Sequence, residues 1–117
     1  MTTPCYMRTE IKATNIEITE AIRDRIQQKA DMLDRFMNVP HTPTNPIAFV
    51  EVEKLTGAHH KKGEVFRCEM MFDLGSKLLR AEKTSVDLYK SIEKVKDEME
   101  RQLVRMKEKA LSKQRRS

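Results

Sequence analysis

Lys90, Lys94, Arg101, Arg105 and Lys109 recur at steps of four, seven, four and four residues. On a helix that advances about 100° per residue, with Tyr89 set at zero, they fall between about 100° and 200°. Ile92, Val95, Met99, Leu103 and Met106 fall between about 240° and 320° on the same wheel. The cations thus form a stripe away from the apolar face. A long row of Lys and Arg facing solvent neutralises phosphates and releases their counterions, so the chemistry it implies is polyanion binding. Glu98 and Glu108 interrupt the row, as they would on a merely solvated face. A second cationic group, His59-His-Lys61-Lys62, lies between Gly57 and Gly63. Four further cations, Arg23, Arg25, Lys29 and Arg35, are scattered on both sides of an apolar stripe earlier in the chain. They join the surface only if packing brings the two segments together.

Catalysis finds no comparable set of residues. The three glycines, Gly57, Gly63 and Gly75, are too dispersed to cradle a nucleotide. His59 and His60 are adjacent, so in an extended loop their side chains diverge. With only His41, Cys5 and Cys68 to add, no zinc-ligand spacing arises. No nucleophile stands at a recognisable distance from a base. A binding protein without metal, cofactor or small-molecule substrate is expected. Aromatic residues are few (two Tyr, four Phe, no Trp) and most lie on apolar faces. Recognition through shape and backbone is therefore expected ahead of the reading of unstacked bases.

Charge placement supports the polyanion. Residues 1 to 82 hold 12 Lys/Arg and 12 Asp/Glu, whereas residues 83 to 117 hold 11 against 6, so the net +5 lies wholly in the last 35 residues. A chain of 117 residues, 35% charged and 38% hydrophobic, fits one domain over 1–112 with a basic tail at 113–117. No apolar run is long enough to span a membrane, and the start lacks a basic-then-apolar leader. Two cysteines at positions 5 and 68 make no disulfide framework. A cytoplasmic location is expected from these features.

The elements that must hold the stripe follow from periodicity. Residues 5 to 13 alternate as a half-buried strand, with Cys5, Met7, Thr9, Ile11 and Ala13 on one side. Thr19 is an N-cap, and Ile22, Ile26, Leu33 and Met37 continue an amphipathic helix closed by Asn38 and Pro40. Three prolines make 38–46 a loop. Residues 47–55 and 64–73 alternate as strands joined through the polar stretch 56–63. Gly75 and Ser76 turn the chain into a short strand, 77–82. The second helix starts near Ser85, buries Val86 and Tyr89 with the apolar residues that follow, and frays through 113–117. The expected fold class is α+β: a two-layer β-α-β-β-β-α domain with a four-stranded sheet and two helices on one face. The first strand, reached through a helical crossover, is expected to pair in parallel; the last three pair as antiparallel hairpins.

Asn15-Ile-Glu-Ile-Thr-Glu-Ala-Ile-Arg23, Lys29 through Leu33-Asp-Arg-Phe36, His59-His-Lys-Lys-Gly63, Leu79-Arg-Ala-Glu82, Asp87-Leu-Tyr89 and Glu100-Arg-Gln-Leu103 stand in this order. In that order and spacing the chain resembles the ribosome hibernation-promoting factor family, which includes ribosome-associated inhibitors and carries an older sigma-54 modulation label. The likeness covers nearly all of residues 6 to 110, and the family fold is β-α-β-β-β-α. It implies binding to the small ribosomal subunit, on rRNA at the channel for messenger and transfer RNA, with inhibition of translation under stress or in stationary phase. On that resemblance Arg23, Lys29, Lys90, Lys94, Arg101 and Arg105 fit the rRNA-binding surface, with Arg35, Lys61, Lys62 and Lys109 as additions. Tyr89 is read as packing and Asp87 as support for the first turn. The partners implied are the small subunit and its rRNA, with no membrane and a monomer off the ribosome. The chain is expected to lack the second domain of long members, and its basic end resembles the short hibernation factor rather than the acid-tailed inhibitor. Two alternatives from other classes are a double-stranded RNA-binding module, whose α-β-β-β-α order is embedded here, and an adaptor that binds protein through its sheet.

Overall fold

The structure, a computed structural model, describes residues 8–37, 47–55, 65–74 and 77–116. The expected loop at 38–46, the hairpin tip bearing Lys61 and Lys62, and the turn at Gly75-Ser76 lie outside the described residues.

The element order is β1 (Arg8–Thr14), α1 (Glu20–Asp34), a short 3-10 turn (Arg35–Met37), β2 (Ile47–Lys54), β3 (Phe66–Asp73), β4 (Leu78–Ser85) and α2 (Leu88–Arg116). The sheet runs β1-β2-β3-β4, parallel between β1 and β2 and antiparallel thereafter. The expected fold class and strand directions are borne out. Because β1 pairs with β2 along its whole length, Arg8 to Thr14 against Ile47 to Glu53, the sheet has one strand more than the double-stranded RNA-binding module.

Local chemistry accounts for the junctions. The chain leaves β1 through Asn15 at φ 58°, a left-handed conformation that asparagine tolerates better than most residues. The Thr19 hydroxyl accepts from the Ile22 N–H at 3.2 Å and caps α1, a contact worth about 1 kcal/mol. Ile22, Ile26, Ala30 and Leu33 then face inward.

The core lies between the helices and one face of the sheet. Ala48, Val50 and Val52 from β2 and Cys68, Met70 and Phe72 from β3 meet Leu79 and Ala81 of β4 and Ile92, Val95, Met99 and Leu103 of α2. Burial pushes the Cys68 thiol up to about 12, so this cysteine is a small apolar filler and not a nucleophile. Ser91 is fully buried and donates its hydroxyl to the Leu88 carbonyl at 2.7 Å.

Several boundaries differ from the expectation. α1 gives way to a 3-10 turn after Asp34, where the helix was expected to continue through Met37. β4 continues to Ser85, three residues past the expected Glu82, because β3 offers partners as far as Phe66, which pairs with Ser85. The start of α2 moves to Leu88 as a result, with Asp87 just outside it accepting from the Tyr89 N–H at 3.1 Å. That shift takes Val86 off the helix and leaves it exposed, while Leu88 is buried in its place. At the far end the helix runs through Arg116 where fraying was expected.

Candidate nucleic-acid interface

α2 packs on β3 and β4 and runs alongside α1. Its buried residues, Leu88, Ile92, Val95, Met99 and Leu103, define one face. A helix that commits its apolar side to a sheet must turn the opposite side to solvent. Lys90, Lys94, Arg101, Arg105 and Lys109 occupy that side, and all five are exposed. The structure thus brings together the five cations that the helical spacing grouped.

β4 extends the surface. Its helix-facing positions begin with Lys77, which precedes the strand, continue through the buried Leu79 and Ala81, and reach Lys83. The two lysines therefore emerge at the two ends of the buried pair, along the flank of α2. Lys83 lines one groove with Lys94 and Arg101, in which Glu82 and Asp97 are the acidic members. Lys77 lines a second with Arg105 and Lys109, in which Glu98 is the acid. Sequence reading missed Lys77 and Lys83. The signal was present as period two, since 77 and 83 share parity with Leu79 and Ala81, but only the packing of α2 on β4 shows that they flank the cationic face.

The positions are not electrostatically equal. Lys94 donates to the Thr84 carbonyl at 3.4 Å, joining α2 to β4. Arg101 pairs with Glu98 at 2.9 Å and keeps 60% of its side chain exposed. Arg101 and then Gln102 hold the Glu98 carboxyl below the usual glutamate range. Gln102 also donates to the Arg80 carbonyl at 2.9 Å, a further tie to β4. Lys29 is differently placed: its side chain is only 13% exposed, and Nζ meets Glu93 of α2 at 2.5 Å. That contact holds the Glu93 carboxyl down. Lys29 is thus a link between helices, with its charge already answered.

Of the other α1 cations, Arg25 reaches α2 and stacks over the Tyr89 ring, with Cζ 5.0 Å from the centroid. Arg23, two residues earlier and about 200° around the helix, is exposed but on the other flank. Arg35 caps the end of α1 and lies over its neighbour Phe36 at 4.7 Å. Tyr89 itself remains 37% exposed, so the packing role expected for it is replaced by a half-open contact with Arg25. One further lysine, Lys96, is buried, and pairs with Glu100 at 2.9 Å and Asp97 at 3.6 Å. It braces the α1 side of the helix.

The opposite face of the sheet has a different character. Lateral register lines up Lys12, Glu51, Glu69 and Glu82 in one row, with Glu53 and Arg67 in the next. Arg67 sits among four carboxylates: Glu82 at 2.9 Å, Glu53 at 3.1 Å, Glu51 at 3.5 Å and Glu69 at 3.6 Å. Arg80 adds contacts to Glu69 and Glu82. Carboxylates outnumber cations here, so this face does not suit a phosphate backbone. Among the described residues no group of three or more His, Cys, Asp or Glu is arranged to hold a metal ion. No helix among them is long and apolar enough to cross a membrane.

Comparison with known proteins places this geometry in a family. The profile described as Sigma 54 modulation protein / S30EA ribosomal protein matches residues 9–111. A ribosome hibernation promotion factor of Lactococcus lactis subsp. cremoris is 35% identical over 97 residues, covering 83% of this chain and 48% of that protein. One of Staphylococcus aureus is 34% identical over 102 residues, covering 86% and 48%. The chain spans about half the length of these relatives. Among solved structures, the Thermus thermophilus Protein Y N-terminal domain superposes with a TM-score of 0.67 at 31% identity, over 86% of this chain and 99% of that one. A ribosomal subunit interface protein from Coxiella burnetii, at 20% identity and a TM-score of 0.61 over 86% of this chain and 98% of that one, shares the fold. The family is non-enzymatic, in line with the binding role expected from the residues. Matched over 103 of its 117 residues, the chain belongs to the Sigma 54 modulation protein / S30EA ribosomal protein family.

Proposed function

We infer that the chain is a ribosome hibernation factor: it binds the small ribosomal subunit on rRNA at the messenger and transfer RNA channel and so inhibits translation. The observation that carries this reading is the cationic face of α2, Lys90, Lys94, Arg101, Arg105 and Lys109, flanked by Lys77 and Lys83 of β4. It is held away from the core on a rigid helix, where its cations can meet phosphates without disturbing the fold. The names of the relatives, ribosome hibernation promotion factor, point to the same partner. The protein acts in the cytoplasm during stress or stationary phase, as a monomer off the ribosome, and needs no cofactor.

The test combines two measurements on purified protein. It should sediment with isolated small subunits, and it should lower the output of a cell-free translation reaction. Loss of neither sedimentation nor inhibition on replacing both Arg101 and Arg105 by Ala moves the contact off α2. Absence of both effects with wild-type protein, at several-fold excess over ribosomes, overturns the reading.

A further inference from the structure

The seam between the helices carries a group that phosphate binding does not use. Tyr89 is the second residue of α2, and its ring keeps a solvent-exposed portion although it borders the core. Arg25, from α1, lays its guanidinium over that ring at 5.0 Å. Four residues further along each helix, Lys29 meets Glu93 at 2.5 Å, so one seam sets the register of both contacts. The backbone is held as well, by the Tyr89 N–H bond to Asp87 Oδ1 at 3.1 Å. Around the helix from Tyr89, Lys90 and Lys94 begin the exposed cationic face.

An exposed arginine–tyrosine stack adds little to folding. What the pair does supply is a guanidinium already positioned over an aromatic ring, at the border of the proposed RNA-binding face. Unpaired bases are bound on such surfaces, by stacking on an aromatic ring or on a guanidinium plane. We propose that Arg25 and Tyr89 form a stacking platform for one unpaired nucleobase of the RNA that the cations of α2 hold. This rests on the RNA-binding reading above and adds to it a requirement for a splayed-out base. Because every base presents a π-face, the platform selects an unpaired nucleotide and not a particular one. It adds one stacked base to the recognition through backbone and shape expected from the sequence.

Binding of the whole chain to isolated small subunits, measured across a series of salt concentrations, tests the platform. Tyr89→Phe keeps the ring and should bind within about twofold of wild type, whereas Tyr89→Leu should weaken binding roughly fivefold to 150-fold, the loss of one stacked base. The slope of log affinity against log salt should stay at the wild-type value in Tyr89→Leu, because no phosphate contact is removed. Arg105→Ala, the control for a phosphate contact, should lower that slope by about one unit. Arg25→Lys keeps the charge and removes the planar group, so it should weaken binding at unchanged slope. It carries the test if thermal melts show that Tyr89→Leu does not fold. Wild-type affinity in folded Tyr89→Leu or in Arg25→Lys overturns the platform alone, as does a loss accompanied by a reduced slope. Failure of wild-type protein to bind small subunits at any salt overturns the RNA reading, and the platform with it.

Discussion

At the scale of single residues, charge alone does not identify a ligand-binding cation. Lys29 and Lys94 are both lysines on helices of the same layer, yet Lys29 is mostly buried against Glu93 and Lys94 faces solvent. A cation whose charge is already met by a carboxylate gains less from a phosphate, because the existing pair must be broken first. The Lys29–Glu93 contact belongs to folding, and pH exposes it. Lys29 holds the Glu93 carboxyl below its ordinary value of 4.5, so the contribution is full above that value and is lost as pH falls through the lower folded value. Glu93→Gln should therefore be less stable than wild type near neutrality, with the gap closing as acidification protonates the carboxylate. Urea midpoints of the two proteins across that range read the effect; a gap independent of pH would assign the loss to packing. Glu93 is 46% exposed at its side chain, so solvent screening keeps the effect modest. Arg25 and Tyr89 show the converse, since neither stands out by residue type and the interest lies in their stacking.

At the scale of elements, α2 serves two purposes on different faces, and substitutions should separate them. Met99 is fully buried between the helices and the sheet, so Met99→Ala should cost about 2–5 kcal/mol of stability. Arg101 and Arg105 are exposed, and replacing both by Ala should change stability by no more than about 0.5 kcal/mol per site. Ribosome binding should respond in the opposite order, falling clearly in the double arginine variant. Thermal melts and a sedimentation assay on the same preparations decide it; a double variant that binds like wild type would make the stripe only a solvated face. The helical phase of this element was legible in the sequence from Ile92 onward, because the apolar step of three and four residues is regular there. Its first turn was not. Val86 and Tyr89 share that step, but β4 pairs with β3 as far as Ser85, which delays the helix to Leu88 and moves the buried position with it.

At the scale of the whole molecule, charge is divided between the two layers: cations on the outward side of α2 and at the ends of β4, carboxylates around Arg67 on the open face of the sheet. A protein polarised in this way should approach RNA with its helical layer, and the complex should depend strongly on salt. If six or more phosphates are contacted, raising salt from about 50 to about 200 mM should weaken binding by about a thousandfold or more. Filter binding or sedimentation over that range measures it, and a flat response would indicate an apolar protein–protein interface. The sequence by itself determined the order of the elements, the inward faces and the cationic stripe. Those depend on periods of two and 3.6 residues within one segment, and any segment displays its own period. The tertiary structure alone decided which segments share a surface. Strand register joined Glu51, Glu53, Glu69 and Glu82 around Arg67 and carried Lys77 and Lys83 to the flank of α2. Helix packing turned Lys29 into a link and set Arg25 over Tyr89. Such contacts join residues far apart in the chain, and no local period records the distance between one element and another.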